Sequence, residues 1–98
     1  MKFMLISRLK DSFYALPPKK QKEIMDATGQ HAEKLTKEGK LKDFYMLGNM
    51  KAALLILDLK SSEDLVHVIQ EAPVFPFADA EPTTLVEMDV VRKAQAKK

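Results

Sequence analysis

The sequence predicts an α+β fold of the ferredoxin-like type. The order is strand, helix, strand, strand, helix, strand, folded as a four-stranded antiparallel sheet with two helices on one face. Three observations lead there. Apolar-rich segments of strand length stand at residues 2–9, 41–48, 52–59 and 83–91. Two segments of helical periodicity fall between the first and second of these, and between the third and fourth. Ninety-eight residues allow a single domain, and 46% hydrophobic against 31% charged residues makes it globular rather than disordered.

Residues 2–9 alternate weakly and are rich in apolar types, as a buried strand is. Residues 10–16 read as a connection. Pro17 and Pro18 suit the first positions of a helix, where a missing N–H costs nothing. Ile24, Thr28, His31 and Leu35 then recur at helical spacing, with Ala27 and Ala32 alongside, so the helix runs to Glu38 with one apolar face. Gly39 stops it. Gly29 interrupts it at a cost of ~1 kcal/mol relative to Ala.

Residues 41–48 are apolar on both parities, Leu41, Tyr45 and Leu47 on one and Phe44 and Met46 on the other. Gly48-Asn49 supplies turn chemistry for a hairpin into residues 52–59, a strand dense in Leu and Ile with Asp58 near its end. Ser61 or Ser62 caps the second helix, and Glu63 and Asp64 suit its positive end. Leu65, Val68, Ile69 and Ala72 form its stripe, and Pro73 ends it. Residues 73–82 hold three of the five prolines and read as a fixed loop before the last strand, 83–91. The domain is thus expected over residues 1–91, with a basic tail at 92–98.

That tail carries four positive charges and no acid, so the chain's net +2 becomes −2 for residues 1–91. The lysines of residues 19–42 are interleaved with Glu23, Asp26, Glu33 and Glu38, not with aromatics on a basic face. No nucleic-acid partner is expected. No apolar run nears the ~20 residues that span a bilayer. The N-terminal run, Phe3 to Ile6, is too short for a signal peptide, and there is no cysteine. A cytoplasmic protein without a membrane partner is the expectation.

The third strand is apolar on both parities, so both sheet faces want burial. Two helices cover one. A second copy, packed sheet against sheet, covers the other, which predicts a homodimer.

Gly39-Lys40, the hairpin to Asp58-Leu59, Ser61 and Leu65 resemble the muconolactone delta-isomerase family. The strongest part of the resemblance is the run Pro73-Val74-Phe75-Pro76-Phe77-Ala78-Asp79-Ala80-Glu81-Pro82-Thr83. The spacing holds without gaps from about residue 30 to 85. The resemblance implies a dimeric α+β barrel that assembles further, into rings such as decamers, and a cofactor-independent isomerase. The departures lie where a small lactone acid would need cationic partners. The family has tryptophan at the positions of Leu41 and Tyr45, basic residues at Met46 and Met50, and histidine and arginine at Met4 and Ile6. Its charged cluster is replaced around Ala27-Thr28-Gly29. Methionine is adaptable filler for apolar space. The pocket is therefore expected to be greasier, and the ligand larger or more apolar than muconolactone.

Within that frame His31 is the candidate proton shuttle, because imidazole titrates near neutral pH. A core histidine satisfied by one hydrogen bond would occupy the same stripe. Tyr14 and Tyr45 are candidates to polarise a carbonyl, though a tyrosine in a strand also serves simple packing. Met4, Thr28, Met46 and Asp79 are candidate substrate contacts. Asp58 at a strand end and Glu81 in the family run are the other carboxylates considered, and His67 falls off its helix stripe. Neither the two histidines nor the carboxylates show metal-ligand spacing, and no cofactor motif is present.

Three functions remain open on sequence. One is a cofactor-independent isomerase or cyclase acting on a small unsaturated lactone or related carbonyl compound. Another is a cofactor-free monooxygenase of quinone-like aromatics. The last is a non-catalytic module for an apolar metabolite or for assembly.

Overall fold

The computed structural model describes residues 1–96. The elements run β1 (Lys2–Leu9), α1 (Asp11–Tyr14), α2 (Pro18–Lys37), β2 (Leu41–Met46), β3 (Ala52–Asp58), α3 (Ser62–Glu71), a 3₁₀ turn (Phe75–Phe77), β4 (Ala78–Leu85) and α4 (Met88–Ala96). The strands form one antiparallel sheet in the order β2-β3-β1-β4. This is the ferredoxin-like order with one added helix at the C-terminal end.

The ends of α2 and α3 follow from local chemistry. Pro17 and Pro18 open α2, and the Gln21 side chain ties the preceding corner by donating to the Leu16 carbonyl at 2.8 Å. At the other end Gly39 adopts a φ of 76°. The Lys40 N–H then reaches the Leu35 carbonyl at 2.9 Å, and the Gly39 N–H reaches Thr36 at 3.0 Å. That pair of bonds is the glycine-dependent Schellman stop. Ser61 caps α3, its hydroxyl accepting from the Asp64 N–H at 3.2 Å.

Both helices lie on the same sheet face. Phe3, Leu5 and Leu57 meet Leu35 of α2 and Leu65 and Val68 of α3 in one core. Leu57 is 0% exposed, so its burial alone contributes roughly 1.5–3 kcal/mol. A second cluster joins Phe13 of α1 to Ile24, Val74 and Ala78. It is anchored where the Lys10 N–H donates to the Phe77 carbonyl at 2.8 Å.

Several expectations change. The connection at 10–16 contains the one-turn helix α1, formed because Phe13 buries there. The strand expected at 41–48 stops at Met46, and its two parities have a physical source. The register shifts between Leu41 and Asp43, so Leu41 faces Leu57 while Phe44 faces Leu55. A β-bulge moves odd and even residues onto one face. In the hairpin the left-handed residue is Met50, with φ 62°, not Gly48. Asn49 supports this turn by accepting the Lys51 N–H at 3.0 Å.

The last strand is the largest correction. It spans Ala78–Leu85 rather than 83–91, and it takes up half of the expected proline loop. Pro82 sits inside it, opposite Leu5. β4 is a sheet edge, the one place where a strand accepts proline. Residues 88–96 form a helix, so 88–91 are helical where a strand was expected, with Arg92 paired to Asp89 at 3.3 Å one turn away. α4 therefore runs through residue 91, where the sequence suggests a boundary. Lys97 and Lys98 of the expected tail lie outside the described residues.

Candidate functional site

The helix-facing side of the sheet carries large residues at one end and small ones at the other. Phe3, Leu41 and Leu57 fill the first end. At the other stand Ser7, Ala53, Ala78 and Ala80, and the helices answer them with Thr28, Ala32 and Ala72. Small side chains facing small side chains cannot close the gap between two layers. The result is a chamber of about 170 Å³ between α2, α3 and the sheet. Its mouth is ringed by Met25, Phe44, Met46, Met50 and Phe75, all exposed.

Few polar side chains reach this chamber: Ser7, Tyr14, Thr28, His31 and Lys51. The Thr28 hydroxyl is already committed, donating to the Ile24 carbonyl at 2.8 Å. His31 is half-buried, and its Nε2 lies 3.3 Å from the Val68 carbonyl. A carbonyl only accepts, so Nε2 is the donor in this contact. The same bond links α2 to α3. Tyr14 stands on the rim at the end of α1, exposed, its ring edge-on to Phe13 with centroids 5.4 Å apart.

The structure brings His31, Tyr14, Thr28 and Met46 together in this chamber, and it separates the other sequence candidates from them. Strand alternation is the reason. Tyr45 lies between Phe44 and Met46 and so faces the opposite side of the sheet. Met4 does the same beside Leu5. Asp79, between Ala78 and Ala80, is exposed on that side as well, with Lys10 Nζ 3.8 Å away. Tyr45, Met4 and Asp79 thus lie on the sheet face opposite the chamber that holds His31. Asp58 lies 3.5 Å from the amino group of Met1. Glu81 and His67 are exposed outside the chamber.

Lys51 was not legible in the sequence. It sits in a hairpin among turn residues, where a lysine is ordinary. The folded hairpin places it at the chamber beside Met50, as the only Lys, Arg, Asp or Glu of the lining among the described residues. The signal available was its position one residue after Met50, where the resembled family carries a basic residue. Among the described residues no group of three or more His, Asp or Glu is placed to hold a metal ion. No helix among the described residues is long and apolar enough to cross a membrane.

A search of curated proteins finds no match. Among solved structures, the crystal structure of muconolactone isomerase at 3.3 Å resolution superposes with a TM-score of 0.77. The two share 24% sequence identity over 89% of this chain and 90% of that one, a likeness of fold. The sequence model of the muconolactone delta-isomerase family matches residues 1–89, from β1 into the first turn of α4. With nearly its whole length matched, and with the same sheet and helices, the chain belongs to the muconolactone delta-isomerase family.

Proposed function

We propose that this isomerase-like protein moves a proton within a small unsaturated lactone or related carbonyl compound carrying one anionic group. The observation that carries the reading is the chamber's lining. It is mostly apolar, with His31 and the cationic Lys51 at the hairpin among its few polar side chains.

The chamber's size is compatible with this reading. An apolar cavity of ~150 Å³ takes up benzene, and the chamber's 170 Å³ therefore suits one ring. Lys51 offers its ammonium to a carboxylate at the mouth. Nδ1 of His31 takes the proton from a carbon beside the carbonyl: the C–H bond breaks, the N–H bond forms, and the electron pair moves to oxygen as an enolate. Tyr14 is the rim hydroxyl available to that oxygen. The imidazolium then returns its proton to a second carbon of the conjugated system. Apolar walls keep water from competing for the enolate.

A homodimer accompanies this reading. On the sheet face away from the helices, Met4 and Ile6 of β1 adjoin Leu54 and Ile56 of β3, with Tyr45 exposed beside them. α4 buries none of its residues, and Met88 and Val90 on it are exposed. Two apolar surfaces on one small chain are what a second copy would cover. Further assembly into a ring is implied only by the family.

The test is a panel of five-membered unsaturated lactone acids followed by ultraviolet absorbance, with His31→Gln beside the native chain. Turnover that falls by about 10²-fold or more in the variant, with the fold kept, is the expected result for a positioned general base. Equal turnover removes His31 from the chemistry. Binding of lactone without turnover by either protein leaves a binding module.

A further inference from the structure

The helix-facing side of β1 is apolar at every step but one. Phe3 and Leu5 are buried in the core, Leu9 packs against the second cluster, and Ser7 stands half-buried between Leu5 and Leu9. Serine in a row of hydrocarbon is costly unless its hydroxyl finds a partner. β1 is an inner strand, and the register puts Ala53 of β3 on one side of Ser7 and Ala80 of β4 on the other. Neither has a side-chain atom that could bond to the hydroxyl. All three line the chamber, where Ser7 is the one polar residue that the strands contribute among the described residues.

The other polar side chains of the lining are engaged or stand at the rim. Thr28 donates to the Ile24 carbonyl, His31 is held on the Val68 carbonyl, and Tyr14 and Lys51 lie at the mouth. The Ser7 hydroxyl has no hydrogen-bond partner among the described residues. In them no fully buried side-chain nitrogen or oxygen lacks one, so this oxygen is open, and the space it opens on is the chamber. A hydroxyl gives one hydrogen and accepts through two lone pairs. Set on a strand that is paired on both sides, it is held in place more exactingly than a loop residue would be.

We propose that the chamber selects rings bearing an oxygen on their inner edge, with Ser7 as the residue that reads it. A carbonyl or ring oxygen there accepts a hydrogen bond from the Ser7 hydroxyl, and a ligand hydroxyl can also donate one to it. A hydrocarbon ring of the same size covers the hydroxyl and offers nothing in return, so the lost solvation of Ser7 counts against it. Use of this contact in turnover rests on the isomerase reading, but the contact itself does not. To that reading it adds a requirement on the substrate: an oxygen at the floor, besides the anionic group at Lys51.

Phenol and toluene serve as probes, because they differ only by a hydroxyl in place of a methyl. NMR shifts of the Ala53 and Ala80 amides, which flank Ser7, give the dissociation constant of each probe in the native full chain and in Ser7→Ala. One net hydrogen bond is worth about two- to tenfold in affinity. In Ser7→Ala, phenol is therefore expected to weaken by about threefold or more, while toluene holds or tightens. Circular dichroism checks that the variant folds. If it does not, Ser7→Cys, of similar size and with only a weak donor, takes its place with the same expectation.

The deciding quantity is the preference for phenol over toluene, which a change in the chamber's shape alone would not move. A preference that falls by less than about threefold overturns the assignment of Ser7. Equal weakening of both probes does so too, since Ser7 then only shapes the floor. A native chamber that takes up neither probe also overturns it. The contact and the isomerase fail separately. A chain that shows the shift in preference yet turns over no lactone keeps the contact and loses the isomerase. Lactone turnover beside a preference that Ser7→Ala leaves untouched keeps the isomerase and loses the contact.

Discussion

Replacing Ala53 with leucine separates a hollow from a packed core by the sign of the effect. Ala53 lies on β3 between its cross-strand neighbours Ser7 and Met46, and it faces the chamber. Leucine adds three carbons. At ~0.8 kcal/mol for each carbon removed from water, the full gain would be about 2.4 kcal/mol. Lost side-chain freedom of about 0.5–1 kcal/mol offsets part of it. A chamber of 170 Å³ has room for the added carbons, so a net stabilisation of about 1–2 kcal/mol follows. In a domain of this length that raises the melting temperature by roughly 4–8 °C per kcal/mol. The same substitution should abolish uptake of benzene or a lactone. The assays are thermal and urea unfolding at fixed protein concentration, alongside ligand titration. A solid interior gives the opposite sign, a loss of about 1–3 kcal/mol from overpacking. Destabilisation of that size would refute the chamber and the chemistry placed in it.

Other perturbations probe single features. Lys51→Gln should weaken binding of a lactone acid several-fold and leave a neutral lactone unaffected, because an exposed ion pair is worth about 0.2–1 kcal/mol. Titrating both ligands at low and high salt checks it, and equal losses for the two remove Lys51 from recognition. Met50→Gly should stabilise the chain by about 0.5–1 kcal/mol. The left-handed backbone costs methionine ~1–2 kcal/mol, glycine's extra freedom when unfolded returns part of that, and the side chain is 73% exposed and packs on little. Urea unfolding reads it, and a lower midpoint contradicts the strain. Ile56→Lys puts a charge at the centre of the helix-free sheet face and should leave a folded monomer. Light scattering would sink the paired-sheet reading if the native chain were already a monomer, or if the variant still paired.

The parts of the fold that were readable came from short-range rules. The α2 stripe of Ile24, Thr28, His31 and Leu35 repeats within one helix, so its inward face follows from geometry internal to that segment. Gly39, Pro18 and Ser61 act within a turn of where they stand. β2 was ambiguous because a bulge near Lys42 breaks the alternation that any strand reading depends on. β4 was misplaced because Pro82 is acceptable only at a sheet edge, and which strand is an edge depends on the order of all four. Tyr45 was grouped with His31 by residue type and Met4 by its position in the resembled family, while the pleat turns both to the other side.

The family, the α+β class and the line of α2 that carries His31 were determined by the sequence alone, since each rests on neighbours within a few residues or on an unbroken motif. The chamber was decided by the tertiary structure. Ser7, Ala32, Ala53, Ala72 and Ala80 come from five different segments, and none by itself points to a hollow. Only when two layers bring them together do their missing atoms become one volume, with Lys51 at its mouth and His31 in its wall. Void space belongs to no residue, so no local pattern announces it.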